Sequence, residues 1–420
     1  MNPDQLRSNN LERLAGWAEA AVMICLAALA ALLPFADITA SREIALWGGL
    51  FFWLVRMAAS HRWRFIRTPL DLPLLVFALV AALSLLTAVD PAYSWRELRH
   101  EILKAVVIYY LAVNNLRTEA RILVFVGALL AGAAVMDIYG VIHHLTHNPN
   151  LRLISLNASS PQLWTYLIQT APFLIVAGLW LDKQWLRLGC VVLTILHILA
   201  AYWTGGRTPM LVLVIQLGLI FFFLGVRFRY IAVAALIMSL GLALFLPRQA
   251  IIIGDRSPSE LNVAGVTIMG LKGTRLEVWG RAWEHIRAHP FSGLGFGRRS
   301  FNKQYPDLID IDYHLWHPHN LFLGIATETG LQGLAAFCFL LISMFKTLWP
   351  RFPRGPGWLK SGPAASFAIA VFISTIGIII NDLTDYHLVG ETALMFWLLA
   401  GAAVSIQPLH NRERSGKQQP

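Results

Sequence analysis

Along most of this chain, apolar residues run on for about 17–25 positions between short polar breaks, the length an α-helix needs to cross a bilayer. Such runs lie at 14–35, 44–60, 70–89, 103–115, 122–145, 162–181, 185–203, 209–226, 230–247, 331–349, 363–380 and 388–407, predicting about twelve transmembrane helices. The run at 103–115 is short, and its loss would invert the topology of everything after it. The pattern predicts an all-α polytopic membrane protein with one large, partly helical hydrophilic loop, 248–318, before the tenth span. Residues 1–247 then hold nine spans, 319–407 the last three, and 408–420 a polar tail.

Short loops retain Arg and Lys on the cytoplasmic side. One set of alternate loops is basic throughout, with Arg62, Arg64 and Arg67, Arg117 and Arg121, Lys183 and Arg187, Arg227 and Arg229, and Lys346, Arg351, Arg354 and Lys360. The opposite set is poorer: Arg42, Arg96, Arg99, Arg152 and Arg207 stand beside acids or alone. Both termini are therefore expected in the cytoplasm, which puts residues 205–209, 248–318 and 381–387 on the far side of the membrane. The start is polar and includes Glu12, and the apolar run after it exceeds a signal-peptide core, so no cleavage is expected.

Composition agrees with the pattern. A chain of 420 residues that is 56% hydrophobic and 14% charged is not a soluble globular domain. The formal charge of +10 is dispersed between apolar runs, so it reports membrane topology and contact with membrane lipids rather than nucleic acid. Cys25, Cys190 and Cys338 lie inside apolar runs, which argues against a disulfide framework or a cysteine metal site. A transporter would place ionisable groups at mid-membrane in paired repeats; here the candidate groups lie at one surface and no repeat is evident.

The chemistry gathers at that surface. His317-Pro-His-Asn320 opens a helical reading from Leu321, interrupted by Gly330 and Gly333. With Pro318 in the first turn, His319 and Asn320 would lie on the positive helix end, which keeps an imidazole neutral and suits His319 as a general base. Arg207 follows two glycines and precedes Thr208-Pro209, read as a cap and first helical residue; a cation there opposes the dipole unless an anion binds. Arg275 repeats the pattern in a helix opened by a Thr274-x-x-Glu277 capping box, with Leu276, Trp279, Trp283 and Ile286 on one face. Guanidinium suits phosphate because it can pair two oxygens at once. Both arginines could equally be headgroup-facing or solvated charges.

Other groups rank below these. Arg298 and Arg299 add positive potential, and Arg152 and Asn157 stand on the same face as substrate contacts or plain loop residues. The Gly293-x-Gly-x-Gly297 loop reads better as a turn leaving Pro290 than as a phosphate cradle. Asp307, Asp310, Asp312, His314, His317 and His319 could hold a divalent cation, but they lack helical ligand spacing, so no metal or other cofactor is expected. His143, His144 and His197 read as structural, and Asp382, Asp385, Tyr386 and His387 receive no role.

Taken together, His319-Asn320 with Leu323, Glu328, Gly330 and Gly333, the Thr204-Gly-Gly-Arg-Thr-Pro-Met210 stretch, and Arg275 to Gly297 resemble motifs of the O-antigen ligase family. That superfamily also includes O-antigen polymerases and protein O-oligosaccharyltransferases. The glycine pair before Arg207 departs from the serine frequent there. The resemblance implies a GT-C type glycosyltransferase of the bacterial inner membrane. It would transfer glycan from undecaprenyl-diphosphate-linked O-antigen to lipid A-core at the periplasmic face, with inversion. It implies His319 as base, Arg207 and Arg275 on the diphosphate, and Arg152, Asn320, Arg298 and His317 in substrate binding.

Overall fold

A computed structural model describes residues 3–416 except 62, 64, 148–151, 158, 228–229, 231–232, 235–257, 264–265, 272–274, 312–315, 350–354, 356–357 and 360–361. The chain is predominantly helical. Before the large loop lie α1 (Pro3–Leu32), α2 (Thr39–Ala59), α3 (Asp71–Leu83), α4 (Pro91–Leu98), α5 (Lys104–Asn115), α6 (Glu119–His147), α7 (Ser160–Trp180), α8 (Gln184–Trp203) and α9 (Arg207–Phe223). After it come α13 (Leu321–Leu348), α14 (Pro363–Asn381) and α15 (Gly390–Gly416). Among the described residues, six helices are long and apolar enough to cross a membrane, and 71–87, 207–223 and 390–406 are shorter apolar helices. Every expected run falls on a helix except 230–247, most of which lies outside the described residues. The short run at 103–115 is the end of a longer helical stretch, because a π-helical turn, Arg99–Leu103, joins α4 to α5.

Local sequence sets several of these boundaries. Asp90 accepts the Tyr93 N–H at 2.9 Å and Pro91 takes the first helical position, where its missing N–H costs nothing. Between the spans, Gln216 Nε2 donates to the carbonyls of Ile168 and Ile373, bolting α9 to α7 and α14.

The connections segregate to two ends of the bundle. At one end, Ala36 N–H donates to Leu156 O, Leu153 N–H to Trp203 O, and Gly390 N–H to Glu101, while Arg42 pairs with Glu391. At the other, Trp358 donates to Phe223 O, the Ser405 hydroxyl to Leu116 O, and Ile66 N–H to Asn114. These are the two sets of alternate loops separated by charge.

The large loop joins the first end. It contains an antiparallel hairpin, β1 (Pro258–Val263) and β2 (Val266–Leu271), then α10 (Arg275–Ala288), α11 (Arg299–Gln304) and α12 (Asp307–Ile311). Its small core is Val278, Ala282, Leu294, Phe301 and Leu308. Along α10, Val278, Ala282 and Ile286 are buried, while Leu276 and Trp283 are exposed. Trp279 donates its indole N–H to Pro318 O at 2.7 Å, which ties α10 to the chain just before α13. Thr274, the proposed cap, lies outside the described residues.

Gly330 breaks α13, with φ 76° and ψ 177°, a conformation only glycine adopts without strain. The break frees carbonyls that a continuous helix would use. The glycine loop takes them: Leu294 N–H donates to Thr327 O, Gly295 N–H to Glu328 O, and Leu331 N–H turns to Pro290 O. Phe296 N–H donates to the Ser84 hydroxyl and Gly297 N–H to Glu328 Oε2. Four successive N–H groups, 294 to 297, are therefore occupied by protein acceptors. The Gly293-x-Gly-x-Gly297 loop is a wedge that mends a broken helix, not a phosphate cradle.

Candidate active site

The connection between α14 and α15, residues 382–389, organises the site. Asp382 is fully buried at its start. Its Oδ2 accepts the backbone N–H groups of His387 and Leu388 at 3.1 and 2.8 Å, and Oδ1 accepts Asn381 Nδ2. Burial pushes its carboxyl up to about 6, with His387 opposing the shift. The pinned loop then meets α13: Leu321 N–H donates to Asp382 O at 2.9 Å and Asn320 Nδ2 to Leu383 O at 2.8 Å.

Asn320 is the N-cap of α13, its Oδ1 accepting from Phe322 and Leu323 N–H. Pro318 therefore stands two residues outside the helix, and His319 lies before the cap rather than in the first turn. Control of His319 by the helix dipole is thereby corrected, because the dipole acts only within the first turn. His319 adopts φ 47°, a left-handed conformation rare for a non-glycine residue and concentrated at functional sites. What orients its ring is Asp385, whose Oδ1 lies 3.1 Å from His319 Nδ1. The same oxygen accepts Tyr386 N–H at 2.9 Å. Oδ2 faces His387 Nε2 at 3.0 Å and Arg275 Nη2 at 3.4 Å, while Arg275 Nη1 donates to Thr384 O.

Asp385 is thus one buried carboxylate shared by two imidazoles and a guanidinium. Burial opposes its ionisation, but His387 and His319 outweigh that and hold the carboxyl well below the usual range. With the carboxylate on Nδ1–H, the His319 tautomer that accepts a proton does so at Nε2. His317 lies against this ring, with centroids 3.9 Å apart, and its Nδ1 accepts the His319 backbone N–H at 3.1 Å. It is buried; that desolvation, then His319 and Arg298, puts its pKa well below the ordinary histidine value, which keeps Nδ1 an acceptor.

A second layer stands behind. Arg298 donates to Tyr386 O at 2.9 Å and lies over the Trp316 and Tyr386 rings, 5.0 and 5.8 Å from their centroids. Glu328, buried in α13, accepts Gly297 N–H at 2.9 Å and faces the Tyr386 hydroxyl at 3.3 Å.

Arg207 opens α9 with Gly206, not Thr208, as the N-cap. Thr208 beside it accepts from the Thr384 hydroxyl at 3.1 Å, next to Asp385, so α9 begins at the edge of the same loop. Arg207 is exposed and makes no hydrogen bond or ion pair with the described residues. Arg152 is exposed beside Leu153, which bonds the end of α8, and makes no hydrogen bond or ion pair with His319 or Asp385. Asn157 donates to Pro34 O and is part of the scaffold. Buried His197 pairs with Asp137 at 2.7 Å inside the bundle, away from this site.

Of the acidic residues weighed as a cation site, only Asp307 is described with its side chain. Asp307 pairs with Arg281 at the surface, while the side chains of Asp310, Asp312 and His314 lie outside the described residues. Donor atoms of His317, His319 and Asp385 do lie within 4.8 Å of one another. Arg275 also faces Asp385, and Arg298 lies close enough to His317 to act on its charge.

Asp385, which the sequence pattern gives no role, contacts both His319 and Arg275. The one available signal was an Asp-x-x-Asp-Tyr-His stretch between two apolar runs, on the same face as His319. Residues 190–338 match the family model described as O-antigen ligase. The matched stretch contains Arg207, Arg275 and His319 and ends before Asp385. No curated protein matches the chain.

Proposed function

From a chain whose residues 190–338 match the O-antigen ligase family model, we propose an inverting, membrane-embedded glycosyltransferase. It moves O-antigen from undecaprenyl diphosphate to a sugar hydroxyl of lipid A-core, at the periplasmic face of the bacterial inner membrane. The acceptor hydroxyl gives its proton to His319 Nε2 as its oxygen attacks the anomeric carbon. The bond from that carbon to the diphosphate oxygen breaks, and the electron pair leaves with the diphosphate. Asp385 keeps the proton on Nδ1 and stabilises the imidazolium that forms, as the carboxylate does in a catalytic triad. Arg275 and Arg207 receive the leaving diphosphate, an interaction that accelerates the step because it strengthens as charge develops. His317, Asn320 and Arg298 hold the His319 and Tyr386 backbone in place, and Arg152, exposed at the same end of the bundle, is a further substrate contact. No metal is required in this reading.

The observation that carries it is the shared carboxylate: Asp385 touches the proposed base and the proposed diphosphate ligand at once. The test is transfer of purified undecaprenyl-diphosphate O-antigen to lipid A-core by the purified protein, with and without EDTA. The expected result is transfer that survives EDTA and vanishes in a folded His319→Ala variant. Activity abolished by EDTA would move the chemistry to a metal, and an active variant would remove His319 as base. Donor extension with no transfer to lipid A-core would make the enzyme an O-antigen polymerase. Transfer to a protein acceptor instead would make it a protein O-oligosaccharyltransferase.

A further inference from the structure

At the end of the bundle that carries the candidate site, α4 presents two faces with different tasks. Inward, Tyr93 and Ser94 are buried, and the Tyr93 hydroxyl accepts Arg299 N–H at 3.1 Å. Glu97 packs so closely on the glycine loop that a Cβ placed on Gly297 would lie 2.7 Å from its Cγ. Just beyond α4, Glu101 accepts Gly390 N–H at 2.8 Å, where the 382–389 connection ends. Outward, Trp95, Arg96 and Arg99 are exposed. Arg96 and Arg99 stand three residues apart, which puts them on one side of the helix. Their guanidinium groups lie over rings of the same helix, Arg96 over Tyr93 and Arg99 over Trp95, each 5.5 Å from the centroid.

What sets these two arginines apart is the missing counter-charge. At this end of the bundle Arg42 pairs with Glu391, Lys104 with Glu43 and Lys303 with Asp90. Arg96 and Arg99 make no hydrogen bond or ion pair with the described residues. The nearest carboxylates in sequence, Glu97 and Glu101, are turned to Gly297 and Gly390 instead. Unpaired arginines here also run against the charge pattern, which keeps Arg and Lys in the opposite loops. Because α4 continues through the π-helical turn into α5, their height follows from the helix. At about 1.5 Å per residue, Arg96 stands about 28 Å along it from Asn115, close to the about 30 Å of a hydrocarbon core. Exposed Leu103 follows one turn below Arg99. The surface thus sets two cations at headgroup height above an apolar side chain, the complement of a phosphate on an acylated sugar.

We propose that Trp95, Arg96 and Arg99 dock the acceptor, with the two guanidinium groups on a phosphate of the acylated sugar headgroup of lipid A-core. The proposal rests on the glycosyl-transfer reading above. Charge complementarity selects the acceptor, because it is the amphiphile whose phosphates sit on sugars at headgroup height. The donor's diphosphate is already allotted to Arg275 and Arg207 beside the 382–389 connection. Docked on α4, the acceptor is held against the helix that braces this connection, with its core sugars extending toward His319.

The test combines an Arg96→Gln/Arg99→Gln variant with enzymatically dephosphorylated lipid A-core. Both side chains are exposed and without an internal bond, so the melting temperature should hold. For the wild type, removing the acceptor's phosphates should raise the acceptor KM about three- to thirtyfold and leave the donor KM unmoved. The double variant should show a rise of similar size with the phosphorylated acceptor and no further rise with the dephosphorylated one, since both changes remove the same contact. Equal KM for the two acceptors on the wild type, or a penalty in the variant that is the same for both, overturns the proposal. Native mass spectrometry of the full-length protein gives a readout without turnover. The wild type should retain lipid A-core against an excess of phosphatidylglycerol, and the variant should lose it. That result supports the docking surface even if the protein proves inactive in transfer and the functional reading falls. Equal retention of the two lipids by the wild type would mark an ordinary contact with anionic lipid and overturns it.

Discussion

Replacing Asp385 by asparagine changes one charge while leaving the shape of the site in place. With its amide oxygen toward His319 Nδ1 and Tyr386 N–H, the new side chain would keep both bonds made by Oδ1. Its NH2 would then face His387 and Arg275, and Arg275 retains Thr384 O. The Asp385→Asn variant is therefore expected to fold. What it loses is the carboxylate beside the imidazolium that forms during proton transfer. At 3.1 Å, and with an effective dielectric of about 20, that attraction has a ceiling of about 5 kcal/mol. Screening by Arg275, His387 and solvent lowers it. The expected loss in kcat is about 10²- to 10⁴-fold, in the range that positioned acid–base groups contribute. The assay is steady-state transfer at saturating donor and acceptor, with a thermal melt on the same preparation. The donor KM should not rise, because Arg275 no longer shares its charge with a carboxylate. A variant that melts like wild type and keeps kcat within about threefold would refute the claim that Asp385 orients and stabilises the base.

Arg207→Ala removes an exposed side chain with no internal bond, so the melting temperature should hold while kcat/KM falls about 10- to 150-fold; equal kcat/KM would dismiss Arg207 from the diphosphate site. Gly293→Ala would bring a Cβ to 2.2 Å from Glu328 O, and a drop in stability of about 1–3 kcal/mol or more is expected in a denaturation assay. Buried His317 binds fewer protons folded than unfolded, because its pKa is depressed by burial, His319 and Arg298 and only partly restored by Asp385. Its contribution to stability is therefore constant above the unfolded histidine pKa and falls below it by up to about 1.4 kcal/mol per pH unit. Asp382, raised to about 6, has the opposite sign and loses stability as pH rises toward that value. Comparing His317→Gln with wild type between pH 7.5 and 5.5 isolates the histidine, and the variant should melt with a shallower dependence on acid; equal slopes would contradict the assignment.

Much of this architecture was legible from local pattern. The apolar runs coincide with helices because each can satisfy its backbone within one segment. Alternate loops sorted by charge are the loops that meet at each end of the bundle. Arg275 and His319 stand out in the sequence, the first as a cation at a helix start and the second as an imidazole where a polar segment meets an apolar run. The errors share a cause. Thr208 as a cap and the position of His319 inside a helix were both inferred from spacing that tertiary contacts then shifted by one or two residues.

By itself, the sequence determined the helical membrane architecture, the two sets of loops and the residue types available at one face, since these depend on hydropathy and charge along the chain. Only the tertiary structure decided that Asp385 serves His319, because the partners are 66 positions apart and are joined by a loop pinned on Asp382. It also decided that the glycine loop repairs the break at Gly330, since a backbone N–H carries no sequence signature of the acceptor it will find. Periodicity reports which face a residue occupies; only packing brings two faces together.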